Sequence, residues 1–231
     1  MSAVVHLLPG LLCDGSMWSH QIAALEAAAE VRVADFTCFD SIGDMAQSVL
    51  DAGPGRLSLV GHSMGARVAI EAHRRAPARI ERIALLDTGT HTIKPGEREQ
   101  RQALIDLAFS EGMEALADRW LPPMVDERRV DDAALMAPLR EMVLRMSPEI
   151  YQRQVTALLG RPDAAASLGQ IACPALVGVG RQDRWSPPAQ HEAIVAAIPH
   201  ATYLIFEDCG HMSPAEAPEA VSRALLDWMA T

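Results

Sequence analysis

The sequence predicts an α/β fold: a mostly parallel, doubly wound sheet of about six strands with an inserted helical cap. Three observations carry this expectation. Short apolar runs rich in β-branched residues recur between segments of helical spacing, the pattern of a parallel sheet covered by helices. The runs are nearly continuous in apolar residues rather than alternating, as strands buried on both faces require. One long stretch, residues 97–159, has no strand signal at all.

In chain order, the first strand is expected over Ala3–Leu8, followed by a Pro-Gly loop and a helix over Met17–Ala29 with apolar residues at helical spacing. Val31–Phe36 reads as the second strand, Ile42–Ala52 as a helix, and Leu57–Val60 as the third strand, running into a helix over Gly65–Arg75. Ile80–Leu86 is the fourth strand. The alternation then stops, and Glu97–Leu159 reads as several helices rich in Met, Leu, Arg and Glu. Breaks are expected at Pro122-Pro123, Pro138 and Pro148, because proline lacks a backbone donor and clashes inside a helix. This region, about 92–165, is taken as a cap within a single domain spanning 1–231. Alternation resumes with a strand at Ala175–Val179, a helix at Gln190–Ala197, a strand at Thr202–Phe206 and a last helix at Pro218–Met229, whose proline occupies a tolerated first-turn position.

Composition narrows the function. Hydrophobic residues make up 49% and charged residues 22% of the 231, ordinary globular usage. A net charge of -10 and a pI near 5.2 argue against a nucleic-acid partner, which would need clustered Lys and Arg. No apolar run reaches membrane-spanning length and Met1–Pro9 has no secretory pattern, so no membrane partner and a cytoplasmic location are expected. Cys13, Cys38, Cys173 and Cys209 stand singly, without metal-site spacing, and are expected as free thiols. Nothing in the sequence signals an oligomeric state.

The strongest chemical signal is Gly61-His62-Ser63-Met64-Gly65, preceded by a strand and followed by a helix. A serine on such a tight turn stands proud of the sheet, and the flanking glycines remove side chains that would collide there. A serine hydroxyl needs a neighbouring base. His211, in the turn Glu207-Asp208-Cys209-Gly210-His211-Met212 after the last strand, is the expected one. His62, adjacent to the serine, should point elsewhere and serve structure. The imidazole in turn needs an acid. Asp183, just past the fifth strand, is the candidate, with Asp87 and Asp208 as rivals. For the oxyanion, the amide after the serine, Met64, and one from the loop Leu8–Ser16 are expected, with Leu11 first and Leu12 as the alternative.

Together, Leu7-Leu8-Pro9-Gly10 through Trp18, the Ser63 turn, the Gly180-Arg181-Gln182-Asp183 segment and the Asp208-Cys209-Gly210-His211 turn resemble the α/β-hydrolase superfamily over nearly the whole chain. The closest resemblance is to compact bacterial carboxylesterases and enol-lactonases. It implies an acyl-enzyme mechanism without metal or organic cofactor, on a small ester, lactone, thioester or C–C substrate. The order Ser63, Asp183, His211 is the order of that superfamily. Pro9 stands where many members carry histidine, and the sequence opens directly on the first strand, without the two leading antiparallel strands of larger members. Serine at the turn argues against dehalogenase or epoxide hydrolase chemistry, which the resembling families run from aspartate. A triad-bearing small-molecule receptor with slow turnover is the alternative of another class.

Substrate contacts are expected from Leu12, Trp120, Trp185 and Met212. An adaptable cap lining is expected from some of Met113, Met124, Met136, Met142, Met146, Leu104, Leu107, Phe109 and Leu116. Arg140 and Arg145 are candidate carboxylate holders, with a solvated helix face as the equal alternative.

Overall fold

The computed structural model describes residues 3–231. Its elements are β1 (Ala3–Leu8), α1 (Ser19–Leu25), β2 (Ala29–Val33), α2 (Ile42–Asp51), β3 (Leu57–His62), α3 (Met64–Arg75) and β4 (Ile80–Leu86). Four cap-region helices follow, α4 (Glu97–Trp120), α5 (Ala133–Leu144), α6 (Pro148–Leu159) and α7 (Ala165–Leu168). The sheet resumes with β5 (Ala175–Gly180), α8 (Pro188–Ala197), β6 (Thr202–Phe206), α9 (Ser213–Glu216) and α10 (Pro218–Met229).

The six strands lie in the order β2-β1-β3-β4-β5-β6, and every pairing is parallel. β3 and β5 are buried along their whole length, which is why their sequences read as continuous apolar runs. β2 is an edge strand exposed on most of its residues, and its Ala-Glu-Val-Arg-Val sequence carries no such run. That explains the displaced expectation of Val31–Phe36. The chain leaves β1 toward β2 on one side and returns to β3 on the other, so the carboxyl ends of β1 and β3 flank a topological switch point, the usual crevice for ligands in open sheets.

Two helix expectations are corrected. The first helix is a short 3₁₀ turn, Gly15–Trp18, continued by α1 and ending at Leu25, because Ala29 already opens β2. Pro138 does not break the cap; α5 runs through it. Ala134, whose carbonyl loses its intrahelical donor, is exposed, as is Pro138, so the interruption falls on the solvent side of α5, where it costs little. Pro122-Pro123 does follow the end of α4, and Pro148 starts α6. The break that the sequence did not flag is Gly112, whose φ of 88° divides α4 into two pieces. Among the described residues no helix is long and apolar enough to cross a membrane.

Candidate active site

Ser63 occupies the single residue between β3 and α3, at φ 53° and ψ -110°, a conformation L-residues hold only where surrounding structure enforces it. Three hydrogen bonds do so: its N–H donates to the Leu86 carbonyl (2.9 Å), and its carbonyl accepts from the Thr88 hydroxyl (3.0 Å) and the Arg67 amide (3.4 Å). The glycines are sterically required. A Cβ at Gly65 would collide with the Leu8 carbonyl oxygen, and one at Gly61 with the Ala66 backbone.

The last two sheet turns bring His211 and Asp183 to this point. His211 Nε2 lies 2.9 Å from Ser63 Oγ, and Nδ1 lies 2.7 Å from Asp183 Oδ2. A carboxylate facing Nδ1 fixes the proton there, leaving Nε2 as the lone pair that accepts from the serine hydroxyl. Asp183 is itself held by the Trp185 and Ser186 amides, each donating to Oδ1 at 2.8 Å. Burial disfavours the Asp183 carboxylate, but the His211 charge and hydrogen bond, with these two amides, outweigh it and keep its pKa below the ordinary value. Burial likewise opposes the imidazolium, yet the Asp183 charge and hydrogen bond, helped by the buried carboxyls of Asp87 and Glu216, outweigh it together and hold His211 above its usual pKa.

Both rival acids lie elsewhere. Asp208 is exposed and paired with Arg128 at 2.7 Å. Asp87 is fully buried, accepts the Gly180 amide (3.0 Å) and the Ser213 hydroxyl, and is raised well above the carboxylate range by burial and by the neighbouring Asp183 charge. It buttresses the floor of the site. His62 also has a positioning contact: its Nε2–H donates to the His211 carbonyl at 2.7 Å, and burial pushes its pKa down to about 3.

Sequence reading missed Glu216. This buried carboxylate accepts three amides, those of Gly210 (3.0 Å) and Met212 (3.0 Å) on either side of His211 and that of Asp126 (2.8 Å) in the cap. The His211 amide donates to the Met124 carbonyl at 2.7 Å. The turn carrying the imidazole is thus stitched to the cap at Met124–Asp126. The signal was present as a glutamate five residues after the histidine, but only the folded turn shows what it accepts.

A cavity of about 450 Å³ opens above Ser63. Leu11, Met64, Trp120, Trp185 and Met212 line it, as do Leu104 and Met124 from the cap. Leu12 does not: it points into the core at φ 58°, and its amide donates to Gln154 Oε1 at 2.9 Å. Of the other cap residues expected, Met142, Met146 and Leu116 belong to the core, Met113 and Met136 pack on it, and Leu107 and Phe109 lie outside the lining, Phe109 exposed. Arg140 and Arg145 also face away. Arg140 pairs with Asp118 (3.3 Å), and Arg145 fastens the end of α5 to Asp14 (2.9 Å) and Ser16 (2.7 Å) in the loop after β1. The cationic lining comes instead from Arg67, Lys94, Arg101, Arg161 and Arg184. All four cysteines are free, Cys13 lining the cavity as a thiol that burial pushes upward in pKa. Among the described residues no cluster of three or more His, Cys, Asp or Glu is placed to hold a metal ion.

The chain is 26% identical over 230 residues to the pimeloyl-acyl-carrier-protein methyl ester esterase of Nitrosomonas europaea, covering 92% of this chain and 90% of that protein. It is 28% identical over 181 residues to a 2-hydroxy-6-oxononadienedioate hydrolase of Cupriavidus pinatubonensis, a match spanning 75% of this chain and 62% of that longer protein. Among solved structures, a thermophilic esterase from Thermogutta terrifontis, described with malate bound, matches with a TM-score of 0.88 at 27% identity, over 99% of this chain and 89% of that one. The enol-lactonase from Burkholderia xenovorans matches with a TM-score of 0.88 at 27% identity, over 100% of this chain and 92% of that one. The alpha/beta hydrolase family profile aligns with residues 5–224, and the chain belongs to that family.

Proposed function

We propose that the protein is a serine hydrolase of the carboxylesterase type, cleaving a small carboxylic ester through an acyl-enzyme on Ser63. The observation that carries this reading is the unbroken relay from Ser63 Oγ through His211 to Asp183, at 2.9 and 2.7 Å, on the floor of a cavity.

In the first half-reaction Oγ attacks the ester carbonyl carbon while its proton passes to His211 Nε2. Asp183 keeps Nδ1 protonated and stabilises the imidazolium. The oxyanion accepts from the Met64 amide, which as the first residue of α3 has no intrahelical acceptor, and from the Leu11 amide. The choice between the two loop residues falls to Leu11 because the Leu12 amide is engaged by Gln154. Collapse breaks the bond to the alkoxide, which leaves with the proton from Nε2. Water then repeats the sequence, releasing the carboxylic acid and restoring Ser63. Loss of one oxyanion donor typically costs about 10²–10³ in kcat. The likeness to an enol-lactonase over the whole chain supports lactones as a second substrate class for the same relay.

A p-nitrophenyl ester chain-length series on wild type and Ser63→Ala, with acid-quenched mass spectrometry, tests the reading. Serine-dependent turnover with a transient acyl adduct is expected. Turnover that survives Ser63→Ala overturns it. An adduct that forms and persists points to a receptor, and no reaction with any ester points to C–C cleavage.

A further inference from the structure

The cavity is cationic in a chain whose net charge is -10. Five cationic side chains line it, against one carboxylate, Glu97. Glu97 is fully committed: Arg161 grips it with both nitrogens (2.6 and 2.7 Å) and Arg101 donates to it at 2.9 Å. Arg161 also donates to the Leu158, Thr92 and His91 carbonyls, and Arg101 lies 5.9 Å over the Trp185 ring. Arg184 is exposed and paired with Glu127, and Lys94 is exposed.

Arg67 differs from all of these. It is buried, only 8% exposed, and its Nη1 has no hydrogen-bond partner among the described residues. Burial and the nearby Arg161 charge depress its pKa to about 9, which leaves it cationic at neutral pH. The neighbouring Asp163 is exposed and caps the Ala165 amide. A buried guanidinium normally has a paired anion, since an unpaired buried charge is costly. Arg67 lies in the first turn of α3, four residues after Ser63, with its amide donating to the Ser63 carbonyl at 3.4 Å, and it lines the same cavity.

Resting on the esterase reading, we propose that Arg67 anchors a carboxylate carried by the substrate itself, several bonds from the scissile carbonyl. The preferred substrates are then half-esters or lactones of dicarboxylic acids rather than neutral esters. The planar guanidinium suits a carboxylate held through two parallel hydrogen bonds, and the Arg101–Glu97–Arg161 cluster surrounds it with positive charge in excess of its one carboxylate.

The test compares methyl hydrogen glutarate, adipate and suberate with neutral methyl alkanoates of matched length on wild type, Arg67→Met and Arg67→Lys. Wild type should favour one anionic ester by roughly 10- to 100-fold in kcat/KM, the range for a charged hydrogen-bonded contact. That preference ratio should fall toward one in Arg67→Met and be partly restored in Arg67→Lys. Independently of turnover, calorimetry on Ser63→Ala should show adipate binding tighter than adipamide by a similar factor. Neutral esters hydrolysed with no anionic preference, together with equal adipate and adipamide binding, overturn the assignment. If no ester of either kind is hydrolysed, the esterase reading fails, while the adipate comparison on folded protein still decides the anion site.

Discussion

Replacing Asp183 by asparagine tests the relay at its most informative atom. Asp183 Oδ1 accepts two amides, from Trp185 and Ser186 at 2.8 Å each, while Oδ2 faces His211 Nδ1 at 2.7 Å. An asparagine keeps its carbonyl oxygen toward the two amide donors, which turns its NH₂ toward Nδ1. A donor there accepts no proton from the ring, so the His211 proton moves to Nε2 and the lone pair facing Ser63 is lost. The expected cost is the price of the wrong tautomer, about 10⁴ in kcat, or roughly 5 kcal/mol of transition-state stabilisation. A second signature follows from charge. Asp183 holds the His211 pKa above its ordinary value, so wild-type activity, which needs neutral His211, should fall as pH drops through a value above about 6.5. Asp183→Asn removes the stabilising charge, and its residual activity should persist to lower pH. The assay is kcat against pH with p-nitrophenyl acetate, with circular dichroism to verify folding. A folded Asp183→Asn enzyme within tenfold of wild type, or a larger loss in Asp87→Asn than in Asp183→Asn, refutes the assignment of the acid.

Glu216→Ala should strip acceptors from three buried amides, Gly210, Met212 and Asp126. A loss of roughly 3 kcal/mol in urea unfolding is expected from unmade buried hydrogen bonds, together with reduced kcat from a displaced His211. For Glu97, burial disfavours the charge, but the Arg161 and Arg101 contacts dominate and lower its pKa from 4.5 to about 2. A depressed carboxylate contributes stability above its unfolded pKa and loses it as pH falls through the folded one. Glu97→Gln should therefore flatten the loss of stability between pH 4.5 and 2, measured as melting temperature across that range against wild type.

Legibility in the sequence followed burial. β3, β4 and β5 lie inside the sheet, so their runs of Leu, Val and Ile marked them, and the Ser63, Asp183 and His211 turns could be placed from the strands they follow. The edge strand β2 was displaced because two of its five residues are charged, whereas the other edge strand, β6, keeps an apolar Tyr-Leu-Ile-Phe run and lies where it was expected. In the site, residues placed by the chain turning over a strand end were readable, whereas those placed by side chains crossing between elements were not. Arg145 read equally as a carboxylate holder or as part of a solvated helix face until its partner Asp14 appeared from 131 positions away. Arg67 and Glu216 carry no local motif, and only tertiary packing distinguishes them from ordinary charged residues on a helix.

The stitching of the His211 turn to Met124 and Asp126 bears on how new specificities can be built on this scaffold. A cap transplanted from a relative by cutting the chain near residues 92 and 165 would carry away the carbonyl that the His211 amide donates to and one of the three amides that Glu216 accepts. An exchange that respects these bonds keeps residues 122–126 with the sheet, together with Arg145 at the end of α5 and Gln154 of α6, which hold the loop after β1; α4 up to its Gly112 joint is the portion left to exchange.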